Sequence, residues 1–92
     1  MKAKMNNLSK WIKYQDEIAL KERIEKDLKD SGFTIITMCE HFFEKQGYTG
    51  MWLLSESHFA IHSFPEEDKI YIELSSCVDK PFLEMKQKLE NY

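Results

Sequence analysis

Glycine and proline are scarce, with three and two in 92 residues. So few breakers exclude a collagen-like or low-complexity chain, and each then marks a definite place. Cysteine is limited to Cys39 and Cys77, whose separation fits neither a zinc pattern nor a disulfide framework. Two free thiols are ordinary in a reducing compartment. No metal site is expected. No apolar run is long enough to span a membrane. The first residues lack the continuous apolar segment of a secretory signal, so a cytoplasmic protein is expected, with no membrane partner. Charge of one sign does not dominate: 13 basic side chains face 16 acidic ones, for a net charge of -3. The lysines at the start (Lys2, Lys4, Lys10, Lys13) are offset by the acidic stretch after them. No face is basic enough for nucleic acid.

What is present is a globular composition, 42% hydrophobic and 32% charged. The length suits one small domain over residues 1–92. A core this small is marginal alone, which hints at an interior extended across a homo-oligomeric interface.

Periodicity divides the chain. Residues 8–30 read as helical at least in their second half, where Leu20, Ile24 and Leu28 make one stripe at four-residue spacing. Asp16 suits the N-cap, and Gly32 the left-handed C-terminal position. Trp11, Ile12 and Tyr14 fit an edge strand or an earlier helical turn equally well. Residues 33–38 are β-branched and aromatic and read as a strand, with Cys39 to Gln46 as a connection. Gly47 and Gly50 bracket Tyr48-Thr49 in a turn-like entry to the apolar Met51–Leu54. From His58 to Phe64 the residues alternate: Phe59 and Ile61 share one face, His58, Ala60 and His62 the other. Pro65 to Lys69 read as a polar turn. Ile70, Ile72 and Leu74 alternate with Tyr71 and Glu73 in a further strand. Asp79 and Pro81 open a last helix with Phe82, Met85 and Leu89 on one face.

The order is then roughly helix, strand, strand, strand, helix. Short turns between strands imply antiparallel pairing, and the fold class is α+β, a two-layer sandwich with helices on one face of an antiparallel sheet. The other face is either wet or packed on a second copy.

The chemistry-bearing residues crowd into Leu54 to Glu66, where three serines, two histidines and two glutamates sit in a run that otherwise reads as β. A serine, a histidine and the downstream Cys77 can serve nucleophilic or acid–base chemistry. The same residues occur innocently on many strands, and a lone cysteine at a strand end is more often a small buried hydrophobe.

Four short motifs in register add weight. Gly47-Tyr48-Thr49-Gly50, Leu53 to His58 (Leu-Leu-Ser-Glu-Ser-His), Ile61 to Glu66 (Ile-His-Ser-Phe-Pro-Glu) and Cys77 stand in the order and spacing of the prokaryotic S-adenosylmethionine decarboxylases, which this chain resembles. Residues 31–43 align upstream without gaps. The resemblance implies self-cleavage between Glu56 and Ser57: the Ser57 hydroxyl attacks the Glu56 carbonyl, and β-elimination leaves a pyruvoyl group at position 57. Thr49 assists that processing and His62 is its base. The pyruvoyl group then binds the amine of S-adenosylmethionine as a Schiff base and serves as electron sink for decarboxylation, toward spermidine and polyamine synthesis. Cys77 returns a proton, Phe43 and Phe64 sandwich adenine, and Glu66 holds the ribose hydroxyls. A homodimer with sheets face to face is implied too. The family usually has tryptophan where Phe64 stands. It is also expected to carry a strand after the last helix, and a first strand that Trp11 to Gln15 represent in part.

Other readings stay open. One keeps the cofactor and changes the substrate to arginine or ornithine, against which Glu66 argues, because a free amino acid has no ribose. Another is a homologue that does not process and acts as a binding or regulatory partner. The last is a plain α+β domain with a chance motif.

Overall fold

Alternation of more and less buried residues along four of five strands defines one sheet with one dry side. The structure, a computed structural model, describes residues 2–92. The elements run β1 (Asn6–Lys13), α1 (Glu17–Ser31), β2 (Ile35–Phe42), β3 (Tyr48–Leu54), β4 (Ser57–Phe64), β5 (Lys69–Ser76) and α2 (Asp79–Leu89). The strands lie in the order β1-β5-β4-β3-β2, and every neighbouring pair is antiparallel. The α+β sandwich expected from the sequence is therefore the fold.

On the inner face Ile12, Ile70, Ile72, Leu74, Phe59, Ile61, Trp52 and Leu54 are buried. They form one cluster with Leu20, Ile24 and Leu28 of α1 and Phe82, Met85 and Leu89 of α2. Fully burying a side chain of this kind contributes roughly 1.5–3 kcal/mol, so the two helix stripes are what hold the layers together. α1 starts where expected, with the Asp16 carboxylate accepting the Ala19 N–H at 2.9 Å. It ends where expected as well, with Gly32 at φ 105°, a left-handed position that glycine occupies without steric cost.

Three boundaries differ from the sequence reading. First, residues 8–13 are strand, not helix: β1 is a complete eight-residue strand that ends at Lys13, paired along its length with β5. Its inner face reads Leu8, Lys10, Ile12, and the lysine hides the alternation. Lys10 lays its stem along the layer and donates from Nζ to the Leu89 carbonyl at 2.7 Å, at the C-terminal end of α2, where a cation is favoured. Second, β2 starts at Ile35, not at residue 33, and runs on to Phe42, so Cys39 to Phe42 are not a connection. As an edge strand it is exposed over most of its length, which erases the burial signal. Third, Tyr48, Thr49 and Gly50 already belong to β3. The polar turn after β4 contains a short 3-10 turn, Pro65–Glu67.

A second stripe of α1 had no sequence signal. Glu17, Lys21 and Glu25 follow one another at four-residue spacing and each reaches a group on the sheet. Glu17 accepts from Ser63 at 2.8 Å, Lys21 donates to Glu40 at 3.0 Å, and Glu25 accepts from the Trp52 indole at 3.0 Å. Among the described residues, every buried side-chain polar atom has a partner.

Candidate active site

Ser55 and Glu56 form the two-residue loop between β3 and β4, closed by the pairing of Leu54 with Ser57. Glu56 lies at φ 57°, a left-handed conformation that costs a non-glycine residue on the order of 1–2 kcal/mol. The strain is held by contacts on both sides. The Ser55 N–H donates to the Thr34 carbonyl at 3.1 Å, and the Glu56 carbonyl accepts the Cys77 N–H at 3.3 Å. The Cys77 thiol donates to the same Glu56 oxygen at 3.1 Å and stands 3.7 Å from the Glu56 carboxylate. Two donors from one residue thus converge on the carbonyl that precedes Ser57, which is the arrangement that stabilises charge on an acyl oxygen.

Ser57 begins β4 on the inner face and is only 7% exposed. It sits opposite Ser76, and its hydroxyl donates to Ser76 Oγ at 2.7 Å. A buried serine beside a strained peptide with a polarised carbonyl can undergo acyl migration from nitrogen to its own oxygen. Cys77 is exposed. With Glu56, Asp79, Lys2 and Lys4 it lines an open hollow of about 650 Å³, so small molecules can reach the thiol.

His62 is on the other side of the sheet. Thr49 faces it directly across the β3–β4 ladder, and Thr49 Oγ1 lies 3.1 Å from His62 Nδ1. These two belong to a row that crosses the whole outer face: His41, Thr49, His62, Tyr71 and Trp11, paired strand to strand. Ser57 and His62 are five positions apart on β4, so they point to opposite faces, about 17 Å apart along the strand. Within one chain the structure therefore makes two groups, Glu56–Ser57–Cys77 and Thr49–His62, and does not bring them together.

The residues expected to bind substrate are spread along the same end of the sheet as His62. Phe43 is 52% exposed and meets the His41 ring edge-on at 4.7 Å. Phe64 is half-buried against Trp11, their ring centres 5.8 Å apart, so it is two strands away from Phe43 across β3 and β2. Glu66 lies on the 3-10 turn. Sequence reasoning missed Trp11 and Tyr71. With His62 and Phe64 they line a hollow of about 240 Å³ on the outer face, the Trp11 and Tyr71 ring centres 5.2 Å apart. The Lys69 ammonium stands 4.4 Å above the Trp11 ring. Reading Asn7, Ser9, Trp11 and Lys13 as the outward half of a strand would have placed Trp11 beside the site.

Among the described residues no helix is long and apolar enough to cross a membrane. Known proteins place the chain further. The family model described as S-adenosylmethionine decarboxylase matches residues 10–90. A protein of Prochlorococcus marinus (strain MIT 9313) named S-adenosylmethionine decarboxylase proenzyme is 38% identical over 68 residues, covering 74% of this chain and 54% of that one. One of the same name from Clostridium tetani (strain Massachusetts / E88) is 35% identical over 86 residues, covering 83% of this chain and 68% of its own length. The crystal structure of the adenosylmethionine decarboxylase from Aquifex aeolicus VF5 superposes with a TM-score of 0.75 at 23% identity, covering 94% of this chain and 78% of that one. That likeness bears on the fold alone. The chain spans about half the length of the first of the curated relatives it matches, 54% and 52%. A match across residues 10–90, a span that includes Glu56, Ser57, His62 and Cys77, makes this chain a member of the S-adenosylmethionine decarboxylase family.

Proposed function

We propose that this protein is a pyruvoyl-dependent S-adenosylmethionine decarboxylase that cuts its own backbone between Glu56 and Ser57 and supplies decarboxylated S-adenosylmethionine for spermidine synthesis. The observation that carries the reading is the Glu56 carbonyl: it sits in a left-handed turn and accepts both the N–H and the thiol of Cys77. The Ser57 oxygen attacks that carbonyl carbon. A C–O bond forms, the C–N bond breaks, and the hydroxyl proton ends on the freed nitrogen. Loss of the Ser57 α-proton then breaks the Ser57 Cβ–Oγ bond, forms a Cα=Cβ double bond in its place, and leaves the oxygen on Glu56 as a free carboxylate. Water displaces the nitrogen as ammonia, and the pyruvoyl group remains at position 57.

The residues fit such a group, because position 57 is enclosed while the neighbouring hollow opens to solvent. Once formed, the group supplies a carbonyl that draws electrons from the substrate α-carbon as carbon dioxide leaves. Cys77 is the acid that returns a proton to that carbon. Phe43 and Phe64 take the adenine between them, and Glu66 binds the ribose hydroxyls. His62, oriented by Thr49, is the base that removes the Ser57 α-proton during processing.

For His62 to do this, a second copy must present it. The working unit is a cytoplasmic homodimer with the open sheet faces packed together. In support, Trp11, Met51 and Leu53 point outward on that face and are 53%, 45% and 50% exposed, an apolar patch that a second copy of the same sheet would cover.

Intact mass under denaturing conditions, with Ser57→Ala alongside, tests the cleavage. Two pieces, the second beginning at residue 57 with a blocked terminus, are expected from the unaltered chain and one piece from the variant. The separation of Ser57 from His62 within one chain favours a second reading, a homologue that never processes. A single stable chain from both proteins would establish that reading instead.

A further inference from the structure

We infer that Ser76 is a positioning residue for the self-cleavage: it sets the direction of the Ser57 hydroxyl so that the Ser57 oxygen presents its lone pairs to the Glu56 carbonyl carbon. The inference rests on the processing reading above and adds a residue to it. Ser76 is fully buried, at 0% exposure, and stands directly opposite Ser57 in the β4–β5 ladder. Its oxygen accepts the Ser57 hydroxyl at 2.7 Å and the Val78 N–H at 3.0 Å. Its own hydrogen goes to the Val78 carbonyl at 3.3 Å. A serine hydroxyl has one hydrogen and two lone pairs, so these three contacts use all that Ser76 has.

The consequence is directional. Because the Ser76 hydrogen is committed to Val78 and its acceptor sites are shared with the Val78 N–H, Ser57 is the donor in their bond. A free serine hydroxyl rotates among three wells and spends part of its time with its hydrogen toward the preceding carbonyl, a geometry in which it cannot attack. The bond to Ser76 removes that option while leaving the Ser57 lone pairs unused. Ser76 takes no net proton: the hydrogen it accepts in the resting state leaves Ser57 Oγ for the Ser57 nitrogen as the C–N bond breaks. The Val78 peptide, through which Ser76 is fixed, adjoins Cys77, whose N–H and thiol hold the Glu56 oxygen. One short stretch, Ser76 to Val78, therefore positions both the nucleophile and the carbonyl it attacks.

The test follows fragment appearance in time for the full chain, in Ser76→Ala, Ser76→Thr and Ser57→Ala, with the unfolding midpoint of each recorded. Loss of one oriented hydrogen bond is expected to slow Ser76→Ala by roughly fivefold to tenfold, and Ser76→Thr is expected to restore the rate. Hydroxylamine separates the steps, since it cleaves only the ester: it should release no extra fragment from Ser76→Ala, because formation of the ester is the step slowed. Should Ser76→Ala fail to fold, Ser76→Cys keeps the volume with a weaker acceptor, and its rate must fall below that of Ser76→Thr. Cleavage of Ser76→Ala at the unaltered rate or faster, or an ester that accumulates in it, overturns the inference and leaves the processing reading standing. No cleavage in the unaltered chain overturns both.

Discussion

Cys77 holds the carbonyl oxygen of Glu56 twice, with its backbone N–H at 3.3 Å and its thiol at 3.1 Å. The two contacts differ in what a substitution can remove. Cys77→Ala deletes the thiol and leaves the N–H. Loss of one such donor in a catalytic oxyanion site costs about 10²–10³ in rate, but a thiol is a weak donor. Cys77→Ala is therefore expected to slow fragment formation by about tenfold without abolishing it, read by denaturing electrophoresis against time, and to cost far more in turnover of cleaved enzyme.

Glu56 holds a left-handed backbone position, so its replacement by glycine separates strain from reactivity. In a Ser57→Ala background, Glu56→Gly should raise the unfolding free energy by about 1 kcal/mol in urea titration, because glycine occupies φ near 57° without the Cβ conflict. In the processing-competent chain the same change should slow cleavage, since a relaxed turn no longer favours opening of the 56–57 peptide. Faster cleavage would show that turn strain opposes the reaction.

Trp11 and Phe64 share a hollow on the outer face. Trp11 backs Phe64, one of the two rings proposed to hold adenine, so Trp11→Ala should raise KM for S-adenosylmethionine severalfold with a smaller change in kcat, because the Phe64 ring loses its support. An unchanged KM would leave Trp11 as a packing partner of Tyr71.

Leu53 projects from the open face one residue before the end of β3, at 50% exposure. A lysine there places a charge in the proposed face-to-face contact. Leu53→Lys should leave the fold intact by circular dichroism and yield monomers in sedimentation velocity, with processing lost alongside association.

Glu40 accepts the Tyr48 hydroxyl and the Lys21 ammonium. The Tyr48 bond first, and Lys21 second, hold the Glu40 carboxyl below the ordinary carboxylate range. Its pKa is lower folded than unfolded, so the stability it contributes is present above the unfolded value, about 4.3, and is lost as pH falls through the folded one. Burial, followed by the Glu40 bond, pushes the Tyr48 hydroxyl in the opposite direction, well above its usual value. Glu40→Gln should flatten the fall in unfolding midpoint below about pH 4, measured by calorimetry across an acid series.

How much of this was legible in the sequence follows from what each residue faces. Phe59 and Ile61 against His58 and His62, or Leu20, Ile24 and Leu28, announce their faces because each stands against one uniform environment. β1 stayed ambiguous because Lys10 occupies an inner position, its charge carried out to the end of α2. The end of β2 was illegible because Cys39 to Phe42, on an edge strand, are all exposed and show no alternation. In the site, Ser57 and His62 read as one constellation because the chemistry pairs them. The period of two along β4 puts them on opposite faces, and that separation was already implied by their odd spacing. Ser75-Ser76 stand out only as small and polar before Cys77, and the role of Ser76 was illegible, because a serine hydrogen-bonded to a serine across a ladder depends on register, and register is a property of two strands at once.

The strand order has a last consequence. A cut between Glu56 and Ser57 gives one piece carrying β1, β2 and β3 and another carrying β4 and β5, yet in the sheet β5 and β4 lie between β1 and the β3-β2 pair. The shorter piece is thus the keystone of the longer one, wedged between its two arms and zipped to both. The nicked molecule cannot lose either piece by peeling one edge; both ladders must open together. Nor has the longer piece a continuous sheet to fold into by itself, since its β1 has no neighbour left. Separately synthesised peptides 1–56 and 57–92 should each be unstructured and should assemble on mixing into a stoichiometric complex, a split protein whose halves recognise each other by interleaving.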